Sequence, residues 1–260
     1  MLRPRIIPCL LVHNGGLVKT RQFREPKYVG DPINAVRIFN EKEVDELIVV
    51  DIDATRLGRE PDYSLIAKLA NECRMPLCYG GGVRDEKQVD RIISLGVEKV
   101  SLSAAAIRDP ALIARSATRV GSQSIIVTID VRLHERTKRY EVLTDNATAT
   151  VNMSALEVAE RAQAEGAGEI VINSIDRDGM MQGYDLKLIA ALREKIGIPV
   201  TALGGAGSLA DIETLVRQEQ IIGAAAGSLF VFKGKYRAVL ISYPNRSEKD
   251  ALLARAGADI

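Results

Sequence analysis

The sequence is poor in residues that mark several classes of site. Its 260 residues include no tryptophan, two histidines and three cysteines. Three thiols cannot all pair, and Cys9, Cys73 and Cys78 lack the spacing of a zinc site. We therefore expect reduced cysteines in a cytoplasmic protein. No residue pattern calls for a metal ion or another cofactor.

The chain also lacks an excess of charge and any long apolar run. It has 35 basic and 34 acidic side chains, a net charge of +1, so no long-range field favours nucleic acid or an anionic membrane. No stretch approaches the roughly 18 consecutive apolar residues of a membrane span. We expect neither nucleic acid nor a membrane among its partners.

The residues that are present suit a large folded domain. Apolar residues make up 47% and charged residues 27% of the chain, enough for a core and a polar surface. The length is close to the roughly 250 residues of a (β/α)₈ barrel. We predict one domain over residues 1–260, with residues 245–260 as a C-terminal tail of unassigned role.

Short apolar runs alternate with helical patterns along the chain, which is typical of βαβ units and a parallel sheet. The predicted strands are Arg5–Leu11, Glu46–Asp51, Pro76–Tyr79, Lys99–Ser103, Ser124–Asp130, Glu169–Ser174, Pro199–Leu203 and Ile221–Ala226. The predicted helices are Pro32–Asn40, Tyr63–Asn71, Asp85–Leu95, Pro110–Thr118, Ser154–Glu165, Asp185–Lys195, Leu209–Arg217 and, with the weakest pattern, Lys235–Ile241.

The sequence repeats itself at an offset of 123 residues. Gly81-Gly82 recurs as Gly204-Gly205, and Ile52-Asp53 recurs as Ile175-Asp176. Such a repeat indicates two equivalent halves of four βα units each. A doubly wound open sheet also alternates strands and helices, but the repeat favours a closed (β/α)₈ TIM barrel built from two half-barrels.

The glycine clusters after the third and seventh strands are candidates for phosphate binding. In a barrel the loops after the strands build the site, and glycine amides at a helix start bind phosphate oxygens. One such cluster alone would be read as a tight turn, but each of these two has a small-residue companion after the next strand. We predict two phosphate sites, formed by Gly81, Gly82 and Ser103 and by Gly204, Gly205, Gly227 and Ser228.

Four aspartates lie at or just beyond predicted strand ends, where a carboxylate can act as a general acid or base. For Asp51, Asp176 and Asp178 a helix cap or an ion pair is the plainer interpretation. Asp130 closes an apolar run with no helix directly after it. When the first strand is superposed on the fifth, Leu11 is the symmetry mate of Asp130.

These segments resemble the cyclase subunit of imidazole glycerol phosphate synthase (HisF) from Arg5 to about Phe232. The resemblance is specific, since the signature segments follow one another in order and spacing. They are Gly80-Gly81-Gly82, Lys99-Val100-Ser101, Gly168-Glu169-Ile170, Ser174-Ile175-Asp176-Arg177-Asp178-Gly179, Gly183-Tyr184-Asp185 and Gly204-Gly205-Ala206-Gly207.

The resemblance implies an ammonia-dependent synthase subunit. In this family a glutaminase subunit forms a 1:1 heterodimer at the barrel bottom, and its ammonia enters through a ring of charges matched here by Arg5, Glu46, Lys99 and Glu169. An ion-pair network that solvates the barrel end is the alternative interpretation of these four residues. At the top, ammonia reacts with a bisphosphorylated ribulosyl-formimino-carboxamide nucleotide, a small phosphorylated substrate.

The resemblance also assigns site residues and exposes departures. Two aspartates carry the cyclisation; Asp130 matches one, and Leu11 replaces the other. Lys19, in a loop after the first strand, matches a lysine that helps to hold substrate, and Asp178-Gly179 matches a substrate-binding pair. Asp51 and Asp176 are added as substrate-binding candidates. The phosphate-binding Asn-Thr of the family is Ser103-Ala104 here, and a serine before the second glycine pair is Leu203.

Three functions remain open at this point. The chain is similar to a branch of the family that shows the same departures and accompanies surface-polysaccharide genes. Members of that branch work with a glutaminase subunit and with an amidotransferase that acts on a nucleotide sugar. Together these proteins form an acetamidino group on the sugar. The second interpretation is a working cyclase in which another carboxylate replaces the missing one. The third is a non-catalytic scaffold that activates a glutaminase.

Overall fold

A computed structural model of the chain describes residues 3–258, and its central feature is a closed barrel of eight parallel strands. The strands are β1 (Arg5–His13), β2 (Leu47–Asp51), β3 (Leu77–Gly80), β4 (Lys99–Leu102), β5 (Ile125–Leu133), β6 (Glu169–Ser174), β7 (Val200–Leu203) and β8 (Gly223–Ala226). Each strand pairs with the next, and β8 pairs with β1, where Arg5 lies opposite Gly223. The predicted barrel is confirmed.

Within the described residues, eight helices of at least eight residues each surround the strands. They are α1 (Pro32–Glu41), α2 (Tyr63–Glu72), α3 (Glu86–Ser94), α4 (Ala111–Val120), α5 (Ala155–Ala164), α6 (Leu186–Arg193), α7 (Leu209–Glu219) and α8 (Arg246–Arg255). Most begin at a side chain that accepts a backbone N–H of the first turn, as Ser154 and Ser208 do in capping boxes. Within residues 3–258 no helix is long and apolar enough to span a bilayer.

The predicted eighth helix, Lys235–Ile241, is wrong. Phe232–Lys233 and Ala238–Val239 pair instead as a short antiparallel hairpin, turned by Gly234 at φ +72°. The helix that closes the barrel is α8, in the segment that we predicted to be a tail. Its Leu252 side chain is fully buried, and it packs against α7.

The segment before α8 is tied to the bottom of the barrel. Tyr243 Oη donates to the carbonyl of Ile6 (2.8 Å), and Lys249 Nζ lies 2.6 Å from a carboxylate oxygen of Asp45. Residues up to 258 are therefore part of the barrel wall, while the last two residues of the predicted tail lie outside the described residues.

The two halves of the barrel repeat each other in detail. Antiparallel hairpins follow β1 (Gly16–Arg21 and Arg24–Gly30) and β5 (Tyr140–Thr144 and Ala149–Val151). The carboxylate of Asp53 accepts the N–H of Asn14 after β1 (2.8 Å), and that of Asp176 accepts the N–H of Leu133 after β5 (2.6 Å). The predicted half-barrel symmetry is thus present in side-chain contacts as well as in strand order.

The barrel interior holds a small apolar cluster of its own. Its members point inward from the strands, whereas the larger core lies between the strands and the helices. The buried members of the interior cluster are Ile7, Cys9, Ile48, Cys78, Ile126, Val171 and Ala225. This layer separates a ring of charges at the bottom from an open cavity at the top.

Candidate functional site

A cavity of about 300 Å³ opens at the carboxyl ends of the strands. This is the end of a (β/α)₈ barrel where catalytic loops gather. Twelve predicted site residues line it: Lys19, Asp51, Gly81, Gly82, Ser103, Asp130, Asp178, Gly179, Gly204, Gly205, Gly227 and Ser228. Leu11 lines it too. The structure therefore brings most of the predicted upper site together around one space.

Asp130 has the electrostatics of an acid–base group. Desolvation raises its pKa to about 6, a hydrogen bond from Asn173 lowers it, and the nearby charge of Asp178 raises it. The hydrogen bond runs from Asn173 Nδ2 to Asp130 Oδ1 over 2.8 Å. A carboxyl group with this pKa can exchange protons near neutral pH.

Leu11 lines the same cavity without any polar contribution. It pairs with Val50 of β2, and both pack with Leu203 against the apolar interior cluster. This apolar wall therefore contains Leu11, which replaces an aspartate of the family pattern, and Leu203, which replaces a serine. Of the two symmetry-related positions at the ends of β1 and β5, only the second therefore carries a carboxylate, Asp130, while the first contributes to an apolar wall.

Lys19 lies in a strand of the first hairpin, not in a loop as predicted. Its side chain points into the barrel, is 6% exposed, and donates a hydrogen bond to the carbonyl of Cys9. Desolvation lowers the pKa of its ammonium group, against the opposing effects of Cys9 and Asp178. The missed signal was Asn14-Gly15, a common hairpin turn, whose φ angles are +49° and +76°.

Asp178 and Gly179 hold this hairpin over the cavity. Asp178 Oδ2 accepts the hydroxyl of Thr20 (2.7 Å), and the carbonyl of Asp178 accepts the N–H of Gln22 (2.9 Å). A side chain at Gly179 would overlap the carbonyl oxygen of Thr20. In this structure the pair anchors the hairpin, while substrate binding by the pair stays a prediction.

Asp51 and Asp176 have structural partners. Asp51 lines the cavity, and its Oδ1 accepts the N–H groups of Asp53 (2.8 Å) and Ala54 (3.1 Å). Asp176 holds the N–H of Leu133 and is not among the cavity-lining residues. Their substrate-binding roles stay predictions.

The two glycine clusters adopt backbone that other residues rarely tolerate. Gly81 has φ +113°, and a Cβ atom there would overlap the carbonyl oxygen of Asp51; its counterpart Gly204 has φ +93° and faces the carbonyl oxygen of Ser174. The N–H of Gly82 is donated to Thr55 Oγ1 (3.2 Å). These glycines are thus required for close packing, whatever they bind.

We expect Gly81→Ala to destabilise the fold more than Gly96→Ala does. Gly96 has φ +98°, but a Cβ atom there would lie 3.6 Å from its nearest neighbour, the Cβ of Ala70. Alanine at this position therefore adds only backbone strain of about 1–3 kcal/mol. Gly81→Ala adds overlap with the main chain, about 1–3 kcal/mol more. Chemical denaturation of both variants measures the difference, and equal losses would contradict the close approach to Asp51.

The small residues that follow β4 and β8, next to the glycine clusters, occupy equivalent positions in the two half-barrels. Ser103 precedes the short helix Ala104–Arg108, and Gly227 precedes the short helix Ser228–Val231. Neither helix start has a side-chain cap. Phosphate binding at these positions stays a prediction.

At the opposite end of the barrel, the four predicted gate residues form a closed ring. Arg5 contacts Glu46 and lies 2.7 Å from Glu169, while Lys99 lies 2.9 Å from Glu46 and 3.0 Å from Glu169. The glutamates are 2% and 4% exposed. Burial opposes the charge of Lys99, but Glu169 and Glu46 outweigh it and raise its pKa. The same ion pairs raise the pKa of Arg5 and lower that of Glu169, in both cases against burial.

Sequence reasoning missed three polar side chains of the barrel interior. Asn173 lies beside Asp130, and Ser101 Oγ lies 2.6 Å from Thr128 Oγ1 in the layer below. The available signal was the period of two along the strands, because Thr128 and Asp130 occupy alternate, inward positions of β5, as Val171 and Asn173 do on β6.

The sequence matches the family described as histidine biosynthesis protein over residues 5–237. It is 55% identical to a Vibrio vulnificus protein with the provisional name imidazole glycerol phosphate synthase subunit hisF3, over 97% of both chains. A Pseudomonas aeruginosa protein provisionally named hisF2 is 53% identical over 96% of this chain and 99% of its own. The imidazole glycerol phosphate synthase subunit HisF of Lacticaseibacillus paracasei is 38% identical, over 89% and 92%. The chain therefore belongs to the histidine biosynthesis protein family, as a HisF-type synthase subunit.

Proposed function

We propose that this subunit receives ammonia from a glutaminase and conducts it through the barrel for the synthesis of an acetamidino sugar of a surface polysaccharide. Ordinary cyclisation of the bisphosphorylated nucleotide is impaired. The observation that carries the proposal is the pairing of a complete charged ring at the bottom with Leu11 in the place of an aspartate at the top.

The path between the two ends suits a small neutral molecule. The ring of Arg5, Glu46, Lys99 and Glu169 leads into the apolar interior cluster, and the cavity follows above it. Apolar side chains admit ammonia at little cost, whereas an ammonium ion would lose its hydration there. The barrel interior therefore favours passage of ammonia in its neutral form.

The upper site lacks what the two-carboxylate cyclisation needs. General acid–base catalysis by a positioned group contributes about 10²–10⁴ in rate, and Leu11 cannot supply it. Asp51 caps a turn and Asp176 holds the loop after β5, so neither is a free substitute. Asp130 remains the proposed catalytic group, suited to proton exchange with whatever accepts the ammonia.

We further propose that a phosphorylated molecule occupies the top of the cavity. The glycine clusters of the two half-barrels lie on its wall with Ser103 and Ser228, and glycine backbone can direct amides toward phosphate oxygens. The family pattern has asparagine, threonine and serine side chains at positions 103, 104 and 203, where this chain has serine, alanine and leucine. Each lost donor should weaken binding of the bisphosphorylated nucleotide by about 1–3 kcal/mol.

The test is reconstitution with the cognate glutaminase. We expect a 1:1 complex at the charged end of the barrel and a glutamine hydrolysis rate at least tenfold above that of the glutaminase alone. Light scattering gives the stoichiometry and a coupled glutamate assay gives the rate. Adding the sugar amidotransferase should then give an acetamidino product from glutamine. Fast turnover of the bisphosphorylated nucleotide by the unmodified chain would instead establish a working cyclase.

A further inference from the structure

Two hairpins at the top of the barrel carry a concentration of basic side chains, which we call the basic rim. Its members are Arg21, Arg24 and Lys27 of the hairpin that follows β1, and Lys233, Lys235 and Arg237 of the hairpin that follows β8. All of them except the half-buried Arg237 are exposed. The two hairpins contain one acidic residue, Glu25, in a chain whose net charge is only +1. The basic rim is therefore a local feature and does not reflect the overall composition.

The two hairpins form one surface. Lys27 Nζ donates to the carbonyl of Arg237 (3.3 Å). The charged groups of Lys27 and Arg237 both lie 5.0 Å from the centre of the Phe232 ring, a distance at which cations are attracted to an aromatic face. Arg237 also donates to the carbonyl of Gly179 (2.8 Å) in the loop after β6. These contacts hold the cations of both hairpins next to one another.

The basic rim lacks counter-charges of its own. Among residues 3–258, none of its six members forms an ion pair with a carboxylate. Burial and then the nearby charge of Arg21 lower the pKa of Arg237, so these two cations are close enough to repel each other. An acidic surface placed against the rim would replace this repulsion with attraction.

The second hairpin adds apolar groups that binding of a small anion does not require. Tyr236, between Lys235 and Arg237, is 88% exposed, and Leu240, just after the hairpin, is 51% exposed. Exposed tyrosine beside arginine is typical of protein–protein interfaces, where these two residue types contribute much of the binding energy. The combination of unpaired cations and exposed apolar side chains therefore favours a protein surface as the ligand.

The basic rim borders the mouth of the cavity. Thr20 and Phe23, on either side of Arg21 in the chain, line the cavity, and so does Gly179, to which Arg237 donates. Ammonia that left this mouth into water would be protonated at neutral pH, as amines are, and would be diluted. An enzyme that uses the ammonia must therefore cover the mouth, and in doing so it contacts the basic rim.

We propose that the basic rim is the docking surface for an acidic face of the enzyme that consumes the ammonia, with Tyr236 as the apolar anchor of the interface. The inference rests on the proposed function, because it takes the open end of the barrel as the exit for ammonia. In this assembly the glutaminase lies at the ring of charges and the consuming enzyme at the opposite end, so the two partners bind without competing.

The experiment measures binding of the purified sugar amidotransferase to the complex of the full chain with its glutaminase, by biolayer interferometry at low and at high sodium chloride concentration. We expect the double variant Lys233→Glu/Lys235→Glu to weaken binding about tenfold or more at low salt, mainly through slower association. High salt should weaken the unmodified complex and reduce this difference. The matched control is Lys68→Glu/Lys87→Glu, which reverses two exposed charges on α2 and α3 and should change the affinity less than about twofold.

A second pair of variants tests the apolar anchor. Tyr236→Ala should weaken binding of the amidotransferase about tenfold, whereas Tyr236→Phe, which keeps the ring, should retain most of the affinity. Thermal melts check that each variant is folded. Equal losses in the rim and control variants, or no binding of the amidotransferase to the unmodified complex, would overturn the proposal. A higher KM for the nucleotide sugar with unchanged binding of the enzyme would also overturn it, since the rim would then bind a small anion.

Failure of the docking surface can be told apart from failure of the proposed function. Equal rates of acetamidino product formation from glutamine by the unmodified and Lys233→Glu/Lys235→Glu complexes, at protein concentrations below the dissociation constant, would refute the docking surface and leave the proposed function intact. Binding of the amidotransferase that depends on the rim, without any acetamidino product from glutamine, would do the reverse.

Discussion

Replacing Leu11 with aspartate is expected to raise ammonia-dependent turnover of the bisphosphorylated ribulosyl nucleotide by about 10²-fold or more. The substitution restores a carboxylate on the wall that faces the same cavity as Asp130, and a positioned acid–base group contributes about 10²–10⁴ in rate. The gain should appear in kcat. KM should stay high, because the variant does not restore the phosphate-binding donors that are lost at positions 103, 104 and 203. Steady-state assays with free ammonium chloride measure it.

Two controls decide whether the new carboxylate acts as a catalyst. Leu11→Asn introduces a polar side chain of the same size without an ionisable group, and it should leave turnover at the level of the unmodified chain. Combining Leu11→Asp with Asp130→Asn should abolish the gain. Because Val50 and Leu203 pack beside position 11, a thermal melt must accompany each variant. Turnover by the unmodified chain close to that of relatives with both aspartates would contradict the assigned role of Leu11.

The barrel could be predicted because its signals are local or repeated. Most strands are short apolar runs rich in β-branched residues, and the 123-residue repeat imposes the same βα order on both halves. The half-barrel repeat also predicts that Leu11 and Asp130 occupy equivalent strand positions. The charged ring, by contrast, followed from the family resemblance, because residues from four distant strands meet there only after closure.

The wrong prediction of the eighth helix and the omission of Asn173 also have physical causes. The pattern over Lys235–Ile241 lacks a cap, whereas Asn245 and Glu248 form a capping box at the start of the true eighth helix. Asn173 was overlooked because a single polar residue in an apolar strand usually signals nothing. Its significance depends on Asp130 of the neighbouring strand, to which it donates a hydrogen bond only in the folded chain.

Reversing the charge of Lys99 should have the second large effect. Lys99→Glu places three carboxylates around Arg5 and removes two ion pairs from a ring whose glutamates are almost fully buried. Breaking a buried ion pair on one side costs about 3–5 kcal/mol, so the variant must first be shown to fold by a thermal melt. In folded protein we expect transfer of glutamine-derived ammonia to fall at least tenfold, because the three acidic groups attract protons and cations into the entrance and convert passing ammonia into ammonium.

The comparison that separates a gate from a structural network uses two sources of ammonia. Ammonia from the glutaminase must cross the ring, whereas added ammonium chloride reaches the cavity from its open end. In the complex with the glutaminase and the sugar amidotransferase, Lys99→Glu should therefore lower amination from glutamine and leave amination from ammonium chloride unchanged. Lys99→Arg keeps the charge and should retain most of the transfer. Equal amination from both sources in folded Lys99→Glu would reject the gate, and the ring would then serve to keep four charges paired at the apolar end of the barrel.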